Sequence, residues 1–230
     1  MTCLVLLPGM DGTGSLFSDF VAELGDPIQP VEVAYPPQQV LDYEQLETYV
    51  RERLPANEPF VLLGESFSGP IAISIAAKAP CNLIGLILCC SFARNPRPAL
   101  AGLKAFIRLV PAIKSATLIG PMLLGKHSTP ALRHQLNVAL SQVSSKVMQA
   151  RLRAVIDVDV TELLKQVCVP TLYLRATDDR LVPQSASALI SSIAPQTRVV
   201  DVDGPHMLLQ VAAIAIASIV GDFIEHCIDQ

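Results

Sequence analysis

The stretch Phe60-Val61-Leu62-Leu63-Gly64-Glu65-Ser66-Phe67-Ser68-Gly69-Pro70 decides how this 230-residue chain is read. Phe60–Leu63 is a short apolar run of the kind that forms a buried strand, and from about Ser68 to Ala79 the sequence reads as helix. Between them the backbone must turn from strand to helix within a few residues. A serine on such a turn lifts its hydroxyl above the sheet edge, and its neighbours at minus two and plus two must be small because the backbone is cramped. The next helix aims its N-terminal dipole and N–H groups at the same place. A Gly-x-Ser triplet is expected about once by chance in a chain of this composition. Here there is only one, and it falls on the junction.

Outward from this junction, short apolar runs alternate with amphipathic stretches, the pattern of a parallel sheet covered by helices. Cys3–Leu7 reads as a strand. Leu16, Phe17, Phe20, Val21 and Leu24 mark one face of a helix that Gly25 stops. Val31–Ala34 is a weak strand, and Asp42 caps a helix carrying Tyr43, Leu46, Val50 and Leu54 on one face. Strands follow at Leu83–Cys90, Thr171–Leu174 and Arg198–Val202, with helices at Ser185–Ile193 and from about Met207 to Ile228. The expected fold is therefore α/β, in a single domain over residues 1–230. Residues 94–167 interrupt it as an all-helical insertion. Thr129-Pro130 and Ser144-Ser145 are helix starts within the insertion. Leu100, Leu103, Phe106, Ile107, Val110, Ile113 and Leu118, at helical spacing, either roof an apolar pocket or simply pack on the sheet.

Composition narrows the function. Lys and Arg number 17 against 21 Asp and Glu, a net charge of −4, with no basic cluster to suit nucleic acid or an anionic membrane. At 51% hydrophobic residues the chain is not disordered, and 17% charged residues points to an apolar surface such as a greasy pocket. The runs Leu83–Ala93 and Val211–Val220 are too short to span a bilayer, which argues against stable membrane insertion. The N-terminus lacks the basic start of a signal peptide. Cys3, Cys81, Cys89, Cys90, Cys168 and Cys227 show no C-x-x-C pair and read as reduced core residues of a cytoplasmic protein.

A nucleophilic serine needs a base. Of four histidines, His206 follows the last strand, placing it on the same carboxyl rim as Ser66, where open α/β sheets bind ligands. His127 and His134 fall in the insertion and His226 near the tail, positions that suit solvated or packing roles. The imidazole needs a carboxylate to set its tautomer. Asp179, in D-x-x-V-P after the penultimate strand, is preferred, with Asp178 as the alternative. The order Ser, Asp, His is that of an α/β-hydrolase. Leu7-Pro8-Gly9-Met10-Asp11-Gly12-Thr13-Gly14 can bend toward Ser66, so the backbone N–H groups of Met10 and Phe67 are the candidate oxyanion donors. A dinucleotide site would use Gly12-x-Gly14 with Glu32, but Phe17 stands where its third glycine belongs. No P-loop is present and no cluster has metal-ligand spacing, so neither cofactor nor metal is expected.

Taken together, these motifs resemble the α/β-hydrolase superfamily over nearly the whole chain. Two positions depart from its pattern. Ser68 occupies the second glycine of G-x-S-x-G, and Pro8 replaces the histidine of the usual H-G oxyanion motif. The run Pro8-Gly9-Met10-Asp11-Gly12 is similar to the P-G-x-D-G loop of phytyl-ester-synthase-like acyltransferases. The chain starts at a segment that resembles the third strand of the family core, so the resemblance implies a mostly parallel sheet of about six strands. It also implies cleavage of small-molecule esters with an apolar acyl group, through an acyl-enzyme on Ser66 with Asp179 and His206 completing a triad. The same triad serves an acyltransferase or thioesterase, and a third class is a binding module that keeps the fold without turnover.

Overall fold

The computed structural model describes residues 2–99, 102 and 116–229. Its centre is the apolar run ahead of the serine turn: β3 (Phe60–Glu65) lies between β1 (Thr2–Leu7) and β4 (Leu83–Cys89), all three deep in the molecule. β2 (Ile28–Glu32) lies outside β1, while β5 (Thr171–Asp178) and β6 (Arg198–Pro205) extend the sheet beyond β4. The six strands run in the order β2-β1-β3-β4-β5-β6 with every neighbouring pair parallel.

Alternation along each strand builds two cores. Val5, Leu7, Phe60, Leu62, Leu86 and Leu88 face one side. They meet Leu46 and Val50 of α2 (Tyr43–Arg51), Ile71 and Ile75 of α3 (Gly69–Ala77), and Ile190 of α8 (Gln184–Ile193). Leu4, Leu6, Val61, Leu63, Ile87 and Leu174 face the other. There they pack on Phe20 of α1 (Ser18–Ala22) and on Ile216, Val220 and Phe223 of α10 (Ala213–Ile228). Helix α3 is buried from Gly69 to Ala76, which explains its apolar residues all round. Asp42 caps α2 in a reciprocal box with Gln45.

Between β4 and β5 the chain forms α4 (Ala116–Leu123), α5 (Pro130–Gln142), α6 (Ser145–Asp157) and α7 (Thr161–Leu164). Thr129 and Ser144 cap α5 and α6 by accepting the Leu132 and Val147 amides. Asn95 N–H to Val158 O (3.1 Å) and Val160 N–H to Ala93 O (2.8 Å) pinch together the two ends of this excursion. Leu124, Leu136, Leu140, Val143, Val147 and Met148 form a third core that closes on Met207, with Met10 and Leu16 at its edge. The side chains of the expected apolar face from Leu100 to Leu118 lie outside the described residues.

Four expectations need correction. The second strand is Ile28–Glu32 rather than 31–34, because the buried Val33 and Tyr35 belong to the exit loop, where their amides bond Leu6 O and Gly12 O. β5 and β6 run on to Asp178 and Pro205 because polar side chains pair across them, Arg175 with Asp201 and Thr177 with Asp203. The last helix breaks at Ala212 (φ −117°, ψ 35°), giving α9 (Leu208–Val211) and α10. All six cysteines are free, but Cys81 and Cys168 are exposed rather than in the core.

Candidate active site

Ser66 follows β3 with φ at +48°, in the left-handed region that a side chain adopts only when its surroundings hold it there. Close packing does so. A Cβ on Gly64 would stand 2.9 Å from both Ala72 Cβ and Ser68 O, so this position admits only glycine. Ser91 Oγ donates to Ser66 O (2.6 Å), and a Cβ on Gly69 would collide with that hydroxyl. At Ser68, where the family pattern has glycine, the hydroxyl reaches Pro8 O and lies 2.5 Å from Tyr35 Oη. The two departures from the pattern therefore contact each other, tying the loop after β1 to the turn after β3.

Three of the expected residues come together at the carboxyl rim. Ser66 Oγ lies 2.8 Å from His206 Nε2, and His206 Nδ1 lies 2.8 Å from Asp179 Oδ2. The side chains of His206 and Asp179 are only 7% and 6% exposed. Asp179 Oδ1 accepts the amides of Leu181 and Val182 at 2.8 and 2.9 Å. Burial pushes the Asp179 pKa up, but the His206 bond and charge together with those two amides outweigh it, leaving the carboxyl below its usual range. An ionised Asp179 accepts Nδ1–H and leaves Nε2 as acceptor for the serine proton. Asp178 turns away, its Oδ1 3.6 Å from Arg180 Nε. His134 and His226 are exposed, and His127 is only partly buried, at a separate polar hollow with Lys126, Ser128 and Gln135.

Met10 and Phe67 flank Ser66 differently. Phe67 is buried, its ring stacked on Tyr43 (centroids 4.8 Å apart) and its carbonyl accepting Tyr43 Oη–H at 3.1 Å. Met10 lines the cavity. In its loop, Gly9 O accepts Gly12 N–H (3.0 Å), so the planar trans peptide directs Met10 N–H to the opposite side of that turn. Arg151 of α6 locks the loop: its Nη1 donates to Met10 O (2.9 Å) and Asp11 O (2.8 Å). The same guanidinium fills the space beside Gly12, where a Cβ would lie 2.4 Å from Nη1. Arg151 was not legible in advance, since nothing local separates it from Lys146 and Arg153 of the same helix, and its partners lie about 140 residues away.

The cavity has a volume of about 310 Å³ and opens on Ser66 and His206. Leu16, Ile119, Leu123, Leu136, Leu140, Met148 and Met207 wall it, most of them from the helical excursion. Its polar lining includes Asp11, Glu65 and Gln210. Burial and the nearby Asp11 raise the Glu65 pKa to about 7, against the pull of Gln210, His206 and the Gly9 amide. Among the described residues, one group could offer ligands to a metal: Cys90, Asp179 and His206 place Sγ, carboxylate and ring nitrogen within 4.8 Å of one another. A cation there would displace the proton shared by Asp179 and Nδ1. No helix among the described residues is long and apolar enough to cross a membrane.

Comparison with solved structures finds the same architecture. An esterase from Exiguobacterium antarcticum superposes with a TM-score of 0.82 at 16% identity, covering 98% of this chain and 92% of its own. The enol-lactonase from Burkholderia xenovorans LB400 gives 0.79 at 18%, covering 97% and 91%. A thermophilic esterase from Thermogutta terrifontis gives 0.77 at 20%, covering 98% and 89%. No curated protein matches the chain in sequence. The family model for serine aminopeptidase, S33, matches residues 32–209, which include β3, its serine turn and the rim loops of Asp179 and His206. The chain belongs to the serine aminopeptidase S33 family of α/β-hydrolases.

Proposed function

We propose that this protein is a serine hydrolase that cleaves carboxylic esters with an apolar acyl group through an acyl-enzyme on Ser66. The observation that carries the reading is the continuous chain Ser66 Oγ–His206 Nε2 and Nδ1–Asp179 Oδ2, with both links at 2.8 Å, at the floor of a cavity walled by aliphatic side chains. In this reading Oγ attacks the ester carbonyl as Nε2 takes its proton, and the Met10 and Phe67 amides receive the oxyanion. Collapse of the tetrahedral adduct breaks the bond to the alcohol, which leaves with the proton from Nε2. Water then attacks the acyl-serine, gives its proton to Nε2, and releases the acid as that proton returns to Oγ. Asp179 acts through His206, keeping Nδ1–H in place and stabilising the imidazolium. Helices α4–α6 serve as a lid that supplies the acyl pocket, and no metal or cofactor enters the steps.

A panel of p-nitrophenyl esters of increasing acyl length, run beside a fluorophosphonate probe, tests this. Ester hydrolysis should fall by about 10⁴-fold or more in Ser66→Ala and in His206→Ala. Probe labelling should vanish in Ser66→Ala. Hydrolysis that survives Ser66→Ala overturns the reading. Product that forms only when an acceptor alcohol or thiol is added assigns acyl transfer instead.

A further inference from the structure

Glu65 immediately precedes Ser66 and is 6% exposed, yet it takes no part in the acyl-enzyme steps. Its carboxyl packs against Gly9 of the loop that carries Met10, Oε2 lying 3.6 Å from where a Gly9 Cβ would stand, and the Gly9 amide favours its ionised form. From the other side Gln210 Nε2 donates to Oε1 at 3.1 Å, while the same amide reaches Leu16 O at 3.3 Å. Gln210, also 6% exposed, sits on α9, four residues after His206. Gln210 Oε1 is buried with no protein partner. A single carboxyl thus contacts the loop that carries Met10 and the segment that carries His206, from the last residue of the strand that leads into Ser66. An aliphatic side chain would fill the space but hold neither neighbour.

Charges converge on the same point. Asp11, 8% exposed, lies beside Glu65 and disfavours its ionisation, and His206 in its charged form favours it. The Cys89 and Cys90 thiols are close enough to feel the Glu65 charge. Arg151 from α6 spends its Nη1 on the Met10 and Asp11 carbonyls. The oxyanion of acyl transfer must develop next to this loop, where a neighbouring anion in a water-poor cavity opposes it.

We propose that Glu65 is a positioning residue for acyl transfer: its buried carboxyl holds the Gly9–Met10 loop and the Gln210 segment against the nucleophile turn, and its ionisation sets a charge beside the oxyanion that slows the reaction. This rests on the acyl-enzyme reading of Ser66. The raised pKa of Glu65, about 7, puts that ionisation within reach of ordinary assay conditions. Gln keeps the shape and an acceptor for Gly9 N–H without the charge, whereas Ala releases the loop.

The test measures kcat and KM for a p-nitrophenyl ester from pH 5.5 to 9.5 in wild type, Glu65→Gln, Glu65→Ala and Gln210→Leu. Fluorophosphonate labelling and thermal melting accompany each. Glu65→Ala should lower kcat about 10²-fold with KM changed less than about threefold, the loss of one oxyanion donor. Glu65→Gln should match wild type within a few-fold at pH 6 and exceed it about tenfold at pH 9. Gln210→Leu removes a donor that favours the carboxylate, so the alkaline decline of wild type should move to higher pH. If Glu65→Ala fails to fold, the other two variants carry the test. A Glu65→Gln to wild-type ratio independent of pH, in enzyme that labels at Ser66, overturns this inference alone. Wild type that neither turns over nor labels overturns the acyl-enzyme reading and this inference with it.

Discussion

The rim of the sheet and the helices above it build the same site by opposite means. At the rim, each group sits one residue beyond a strand end and is held by short polar bonds. Ser66 has Ser91 on its carbonyl, Asp179 has two amides on Oδ1, and His206 lies between them. In α5 and α6 the pocket-facing residues Leu136, Leu140 and Met148 are held by apolar contact alone. Hydrogen bonds of fixed length and direction position reacting atoms, whereas dispersion contacts are non-directional and leave the wall free to change volume. In the proposed function, chemistry belongs to the first region and choice of acyl group to the second. Polar links also join them: Arg151, a buried cation from α6, bonds two carbonyls of the rim loop, while Met207 N–H and Arg180 reach Leu123 O and Pro121 O of α4.

The largest effect that could break this division is at the rim. Asp179→Asn should lower kcat/KM by about 10³- to 10⁴-fold, since the amide favours the wrong tautomer of His206. Asp178→Asn, whose carboxylate faces Arg180, should stay within a few-fold. Steady-state kinetics of the pair decides it, and equal losses would move the carboxylate role.

Core truncations sharpen the contrast. Leu63 on β3 is fully buried in the sheet core, and Leu63→Ala should cost about 3–5 kcal/mol in urea unfolding. Leu140 on α5 already borders the cavity, so Leu140→Ala should cost only about 2 kcal/mol. It should also shift the preferred ester toward longer acyl chains. An unchanged chain-length profile would remove α5 from the acyl wall.

The smallest effect is in stability against pH. The Asp179 pKa lies below its usual value, so its contribution is present above about pH 4 and is lost as pH falls through the lower folded value. Glu65 works the other way. Its pKa is raised to about 7, so the folded state keeps a proton that the unfolded chain gives up near pH 4, and stability declines across that interval as pH rises. Melting temperatures should therefore lose their fall below about pH 4 in Asp179→Asn and their decline between about pH 4 and pH 7 in Glu65→Gln. Parallel curves for both variants and wild type would remove the assigned shifts.

How much of this could be read in advance depended on distance along the chain. Gly64-x-Ser66 was legible because the strand-to-helix turn is local and the crowding at Gly64 arises from Ser68, Gly69 and Ala72, all within eight residues. His206 and Asp179 were legible because each lies just past a recognisable strand, and parallel strands deliver their exit loops to one edge. β2 was misplaced by three residues because an edge strand with Pro30 has no two-sided burial to mark its span. The role of Ser68 could not be seen at all, since its partners Pro8 and Tyr35 are 60 and 33 residues away.

By itself the sequence determined the sheet, the direction of its strands and the rim at which a serine, a histidine and an aspartate would emerge. Those features follow from hydrophobic period and turn chemistry, which act over a few residues. The tertiary structure brought Asp179, the carboxylate already preferred, to the imidazole, and it alone set Arg151 on the Met10 loop, Glu65 beside that loop and α4–α6 around the cavity. Each of these depends on where distant segments meet and on which buried polar group finds a partner there, and neither is written in any local stretch of the chain.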